Sequence, residues 1–142
     1  MMKLFKEQKG FTLIELLVVI AIIGILASIV LASLNTARDR GRDASARASM
    51  SQTRAQMEIF YDQQIPVTYD AGCGSADVAK LTAAADAQNG ALAAPVCDDG
   101  AASSQKWAAK VQLNNNSWYC VDGGGVAKET IANPVITDQA CD

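Results

Sequence analysis

The sequence predicts an α+β chain: a long N-terminal α-helix whose second half packs on a small antiparallel β-sheet, in a lollipop outline. Three observations predict it. Residues 11–34 are almost wholly apolar, and residues 35–64 continue with an amphipathic stripe. Residues 65–142 break into short alternating segments punctuated by Asn and Gly, and hold all four cysteines. A length of 142 residues suits one domain plus an anchor.

The apolar run from Phe11 to Leu34, FTLIELLVVIAIIGILASIVLASL, contains a single ionisable group, Glu15. As a helix it would extend about 36 Å, enough to cross a bilayer with some tilt. A secretory signal would be shorter and end at a small-residue cleavage site, for which Ala27 and Ala32 offer only weak candidates. A carboxylate in a spanning helix costs about 2.5–3.5 kcal/mol on insertion scales. Glu15 therefore requires a cation, supplied by another subunit or by an amine created next to Phe11.

The preceding residues contain Lys3, Lys6 and Lys9. With them, Lys9-Gly10-Phe11-Thr12-Leu13-Ile14-Glu15 resembles the prepilin peptidase site of the type IV pilin and pseudopilin family. The resemblance implies that residues 1–10 are a leader, cut between Gly10 and Phe11 by a membrane aspartyl peptidase. It also implies N-methylation of Phe11 and pairing of Glu15, fifth in the mature chain, with the Phe11 amine of a neighbouring subunit. It covers residues 1 to about 62 closely and the remainder loosely. Gly24 matches the family's usual glycine, but Ala32 stands where many members carry proline. Proline costs a helix about 3 kcal/mol and glycine about 1, so this stem lacks the usual cause of local melting.

Residues 35–64 should prolong the helix. Ala46, Met50, Thr53, Met57 and Phe60 recur at helical spacing, Asp43 and Arg47 are placed for an ion pair one turn apart, and Pro66 ends the pattern. Arg38, Arg40, Arg42 and Arg47 read as a solvated face paired with Asp39, Asp43 and neighbouring subunits; lipid headgroups or DNA are the alternative ligands.

In residues 65–142 a short helix is expected over Asp77–Gln88, stopped by Asn89-Gly90. Three antiparallel strands are expected at Lys106–Leu113, Trp118–Val121 and Val126–Ile131, joined by turns at Asn114–Ser117 and Gly123–Gly125. The first should bury Trp107, Ala109, Val111 and Leu113 on one face, and both tryptophans read as packing residues. Fewer than 80 residues bury too little apolar surface to be comfortable unaided, so two disulfides and an oxidising compartment are expected. Cys73, Cys97, Cys120 and Cys141 allow three pairings, of which sequence order (Cys73 with Cys97, Cys120 with Cys141) is the simplest. The resemblance favours the second of these loops. A four-cysteine zinc site would need CxxC pairs, which are missing.

Asp98-Asp99-Gly100 and Asp122-Gly123 look like fragments of a calcium loop, and some secretion pseudopilins bind calcium. The spacing fits no such loop, so no metal or other cofactor is expected. The absence of histidine excludes Ser-His and Cys-His catalysis, and no phosphate-binding motif or G-x-S-x-G is present. Without residues 1–10 nine basic and fourteen acidic groups remain, a net charge of −5, which argues against a nucleic-acid coat.

The resemblance thus implies a non-enzymatic subunit that polymerises through its apolar helix, with a secretion pseudopilin or minor pilin as the alternative role. Its partners would be copies of itself, the prepilin peptidase, the assembly platform and its ATPases. The precursor would cross the membrane once with the cysteine-bearing domain outside. Charge does not fix that orientation, since three leader lysines face four arginines beyond the span.

Overall fold

The computed structural model describes residues 10–90, 92–100, 105–136 and 139–141. The basic leader lies outside the described residues except for Gly10. Contacts divide the chain into two units, Met1–Ala37 and Arg38–Asp142.

One helix, α1 (Leu13–Gln63), runs unbroken through Gly24, Ala32 and Gly41. In the first unit every described residue is exposed, including Leu13, Ile14, Ile20 and Ile25 at 60% or more. This stretch is long and apolar enough to cross a membrane.

The second unit begins with the remaining turns of α1. Asp43, Ala46, Met50, Thr53 and Met57 form a buried stripe there, at spacings of three and four. The apolar stripe expected from the sequence is therefore the face that packs, with Phe60 at its half-buried end and Asp43 added at its start. The expected Asp43–Arg47 pair is not made. Asp43 Oδ1 accepts hydrogen bonds from Asn114 N at 2.7 Å and Asn114 Nδ2 at 2.8 Å, while Arg47 Nη2 donates to Glu129 at 2.8 Å. Both side chains find partners across the fold that outcompete a neighbour one turn away, whose exposed pairing stabilises by only about 0.3–0.5 kcal/mol.

After α1, a 3-10 turn at Gly72–Gly74 leads into α2 (Ala76–Asp86), which buries Val78 and Ala85. The helix stops two residues short of the expected Gln88. Gly90 takes φ +72°, and a Cβ there would lie 2.6 Å from Asn114 Oδ1, so this stop signal requires glycine on two counts.

The sheet has four antiparallel strands in sequence order: β1 (Val96–Asp98), β2 (Ala108–Gln112), β3 (Trp118–Asp122) and β4 (Ala127–Thr130). Three strands were expected; β1 is the addition. Its three residues are too few to show alternation, and they gain strand geometry by pairing with β2, Cys97 opposite Ala109. Trp107, Ala109, Val111 and Leu113 are all completely buried, as their alternation requires, and pack with Met50, Met57 and Val121. The exposed β4 contributes pairing rather than core, with Ile131 just beyond it 90% exposed.

The opposite sheet face has a second, smaller core of Ala108, Cys120, Ile136 and Cys141. The chain end lies over it. Lys110 Nζ donates to Asn133 Oδ1 at 2.8 Å and the Pro134 carbonyl at 2.7 Å, and stands 5.3 Å from the centroid of Trp118.

Candidate functional site

Phe11, Thr12 and Glu15 lie at the N-terminal end of α1. The start of that helix is a capping box, Thr12-Leu13-Ile14-Glu15. Thr12 N donates to Glu15 Oε2 at 2.9 Å and Thr12 Oγ1 donates to the same oxygen at 2.6 Å; Glu15 N in turn approaches Thr12 Oγ1 at 3.3 Å. Two otherwise orphaned donors of the helix start are satisfied by the side chains themselves. Sequence reasoning passed over Thr12, although its signal is plain: Thr and Glu three residues apart at the head of an apolar helix.

The box fixes what Glu15 can do. Both intrachain bonds use Oε2, so Oε1 has no partner among the described residues. A negative group in the first helical turn is also favoured by the helix dipole. Around it Phe11, Ile14, Val18 and Val19 are apolar and exposed. The arrangement is a pre-oriented carboxylate with one open oxygen on a greasy surface, suited to accept a cation that arrives with an apolar partner.

Elsewhere the acidic turns are occupied. Asp99 Oδ2 accepts from Cys73 N at 2.9 Å and Asp98 Oδ1 from Gly100 N at 2.9 Å. Asp122, nearly buried, accepts from Val126 N at 2.8 Å and Cys141 N at 3.0 Å. These carboxylates close turns and hold the chain end, and among the described residues no three metal-ligating side chains converge. The structure joins Cys73 to Cys97 and Cys120 to Cys141, with Cα separations of 5.7 and 5.8 Å. The first bond ties the turn before α2 to β1, and the second ties β3 to the chain end.

Two groups in the second unit have shifted acidities. Glu129 accepts from Ser117 Oγ, from Asn115 Nδ2 at 3.0 Å and from Arg47; chiefly the Ser117 bond, then that of Asn115, hold its carboxyl below the usual 4.5. Tyr69 is pushed up from 10.0 to about 12, mainly by burial and then by the Glu58 carboxylate, which accepts from its hydroxyl at 2.9 and 3.0 Å. Both are joints between α1 and the rest of the unit rather than reactive centres.

Residues 5–31 match the family model of the prokaryotic N-terminal methylation motif, a segment containing Gly10, Phe11 and Glu15. A fimbrial protein of Pseudomonas aeruginosa is 45% identical over 62 residues, covering 42% of this chain and 40% of that protein. The type IV major pilin protein of Neisseria gonorrhoeae is 32% identical over 142 residues, covering 92% of this chain and 64% of its own. The chain carries the prokaryotic N-terminal methylation motif and is similar to type IV pilins. The type IV wide pilus major component of Thermus thermophilus is 44% identical over 55 residues, 39% of this chain and 42% of its own. The chain thus spans from about two fifths to just under two thirds of the length of these curated relatives. No solved structure matches it. The fold agrees with that likeness: the second half of α1 packs on a small antiparallel sheet, as the resemblance implies.

Proposed function

We propose that this chain is the structural subunit of a type IV pilus, a non-catalytic protein that polymerises through its apolar helix once its leader is removed. The observation that carries the reading is Glu15. It is the one ionisable residue in a run of exposed apolar side chains, four positions after Phe11 in the segment that matches the methylation motif. Cleavage between Gly10 and Phe11 by the prepilin peptidase frees an amine, which is then methylated. Glu15 of one subunit accepts that amine on its open oxygen, while Thr12 holds the other oxygen in place. Because the apolar helices leave lipid for a bundle that is equally apolar, their burial is kept rather than gained. The ion pair and the helix packing then supply the specificity.

The precursor crosses the membrane once, with the disulfide-bonded unit outside. The assembly platform and its ATPases supply the energy for extension. The relatives, a fimbrial protein, a major pilin and a wide pilus major component, favour the pilus over a secretion pseudopilin. Adhesion, motility and DNA uptake are the roles such a fibre would serve.

Mass spectrometry of purified filaments should find chains beginning at methylated Phe11. Glu15→Ala should insert into membranes as well as the parent yet reduce filament yield at least tenfold. Filaments retaining residues 1–10, or an undiminished yield from the variant, would refute the mechanism.

A further inference from the structure

From Arg38 to Arg47, α1 carries four arginines and two aspartates. By count the two acids could neutralise at most two of the four arginines along the helix. The tertiary structure withdraws one of those acids. Asp43 is 4% exposed and turned to Asn114, and Arg47 is turned to Glu129. Asp39 is then the one acid left beside Arg38, Arg40 and Arg42, and it meets Arg42 at 3.7 Å with both side chains about half exposed. Arg38 and Arg40 are exposed and have no partner among the described residues.

At about 100° per residue, Arg40 stands roughly opposite Arg38, with Arg42 about 40° from Arg38. The charges therefore fall on two opposite sides of the helix instead of lining one. A protein partner docking on one side would meet only part of this set, whereas a planar layer pierced by the helix would meet all of it. The first of these arginines follows Leu34, the end of the apolar run, by four residues, about 6 Å of helix. That is the depth of the headgroups when the run fills the hydrocarbon. Guanidinium groups bind phosphate oxygens in pairs, and their aliphatic stems tolerate the interface.

We propose that Arg38, Arg40 and Arg42 form a cationic collar that binds anionic phospholipid headgroups in the leaflet facing the globular unit. The collar fixes the depth of the precursor before it joins a filament. This rests on the membrane-precursor reading above.

The test reconstitutes the full chain in nanodiscs of phosphatidylcholine with a minor share of phosphatidylglycerol, and reads the lipids retained by the released monomer in native mass spectrometry. The parent should retain phosphatidylglycerol well above its share. Arg38→Gln with Arg40→Gln and Arg42→Gln should lower that enrichment, by roughly fivefold per arginine at most. The matching triple lysine variant should keep most of it. Retention at the bulk ratio by the parent, or unchanged enrichment in the glutamine variant, overturns the collar. So does a glutamine variant that loses filament yield while keeping the lipid preference, since its arginines would then serve contacts between copies. A parent that does not enter the discs at all sinks the membrane reading together with the collar; entry without lipid preference sinks the collar alone.

Discussion

Asp43→Ala tests how α1 is fastened to the globular unit. In the parent, one carboxylate oxygen takes hydrogen bonds from Asn114 N at 2.7 Å and Nδ2 at 2.8 Å, with Asp43 4% exposed. Hydrogen bonds to a charged group contribute about 1.5–3 kcal/mol each, and a buried donor left unpaired costs about 1–3. Asn114 Nδ2 keeps a second acceptor, the Gln88 carbonyl at 2.9 Å, so the orphan in the variant is the main-chain N–H. Two effects run the other way: the variant no longer desolvates a carboxylate, and alanine is the better helix former by up to about 0.7 kcal/mol. The net loss should be about 2–3 kcal/mol. Trp107 and Trp118 both lie in this unit, so tryptophan emission of the full chain in detergent, followed through a urea titration, reports its unfolding alone. With a slope of about 1–2 kcal/mol per molar, the midpoint should fall by about 1.5 M. Asp43→Asn, which keeps one acceptor oxygen, should lose about half as much. Asp39→Ala, which removes an exposed ion pair, should stay within about 0.5 kcal/mol of the parent. An Asp43→Ala midpoint that matches the parent's would refute the reasoning and return Asp43 to the role of a surface charge.

Other consequences follow from the same packing. A Cβ on Gly123 would stand 2.9 Å from Nε1 and 3.0 Å from Cδ1 of the fully buried Trp107. Gly123→Ala should therefore lower stability by about 1–3 kcal/mol in the same titration, while Gly124→Ala, whose nearest new contact is 3.4 Å, should be nearly neutral. Tyr69 is more acidic unfolded than folded, so its contribution is intact below pH 10 and lost as pH rises from 10 to about 12. Tyr69→Phe should show a flatter decline in that window when urea midpoints are compared. Glu129 has the opposite sense: its folded acidity lies below the ordinary 4.5, so its contribution is present above that value and fades as pH falls below it. Glu129→Gln should accordingly lose less stability than the parent between neutral pH and pH values under 4.5.

The parts of this protein that local chemistry decides were legible in its residues. A run of 24 residues, 19 of them with apolar side chains, forms a helix in an apolar surrounding, and one carboxylate among them marks the place where a partner is needed. The strict alternation of Trp107, Ala109, Val111 and Leu113 selected the buried face of β2, and the spacing of Ala46, Met50, Thr53 and Met57 selected the stripe that meets it. Thr12 is legible too, through its spacing from Glu15, although its cap signal is embedded in a run whose dominant pattern is burial.

What only the tertiary structure decided concerns contacts between residues far apart in sequence. β1 is a strand because β2 offers it hydrogen bonds, which three residues cannot announce by periodicity. The back of the sheet is buried because the chain end folds across it, so Ala108 and Cys120, on the outward side of an alternating pattern, turn out to be core. Asp43 and Arg47 look like a helical ion pair, yet each is drawn to a partner some 70 or 80 residues away, Asn114 and Glu129. Spacing along a helix ranks neighbours by distance alone. The choice among partners follows from burial, which strengthens a satisfied hydrogen bond inside the fold well beyond an exposed pair on its surface.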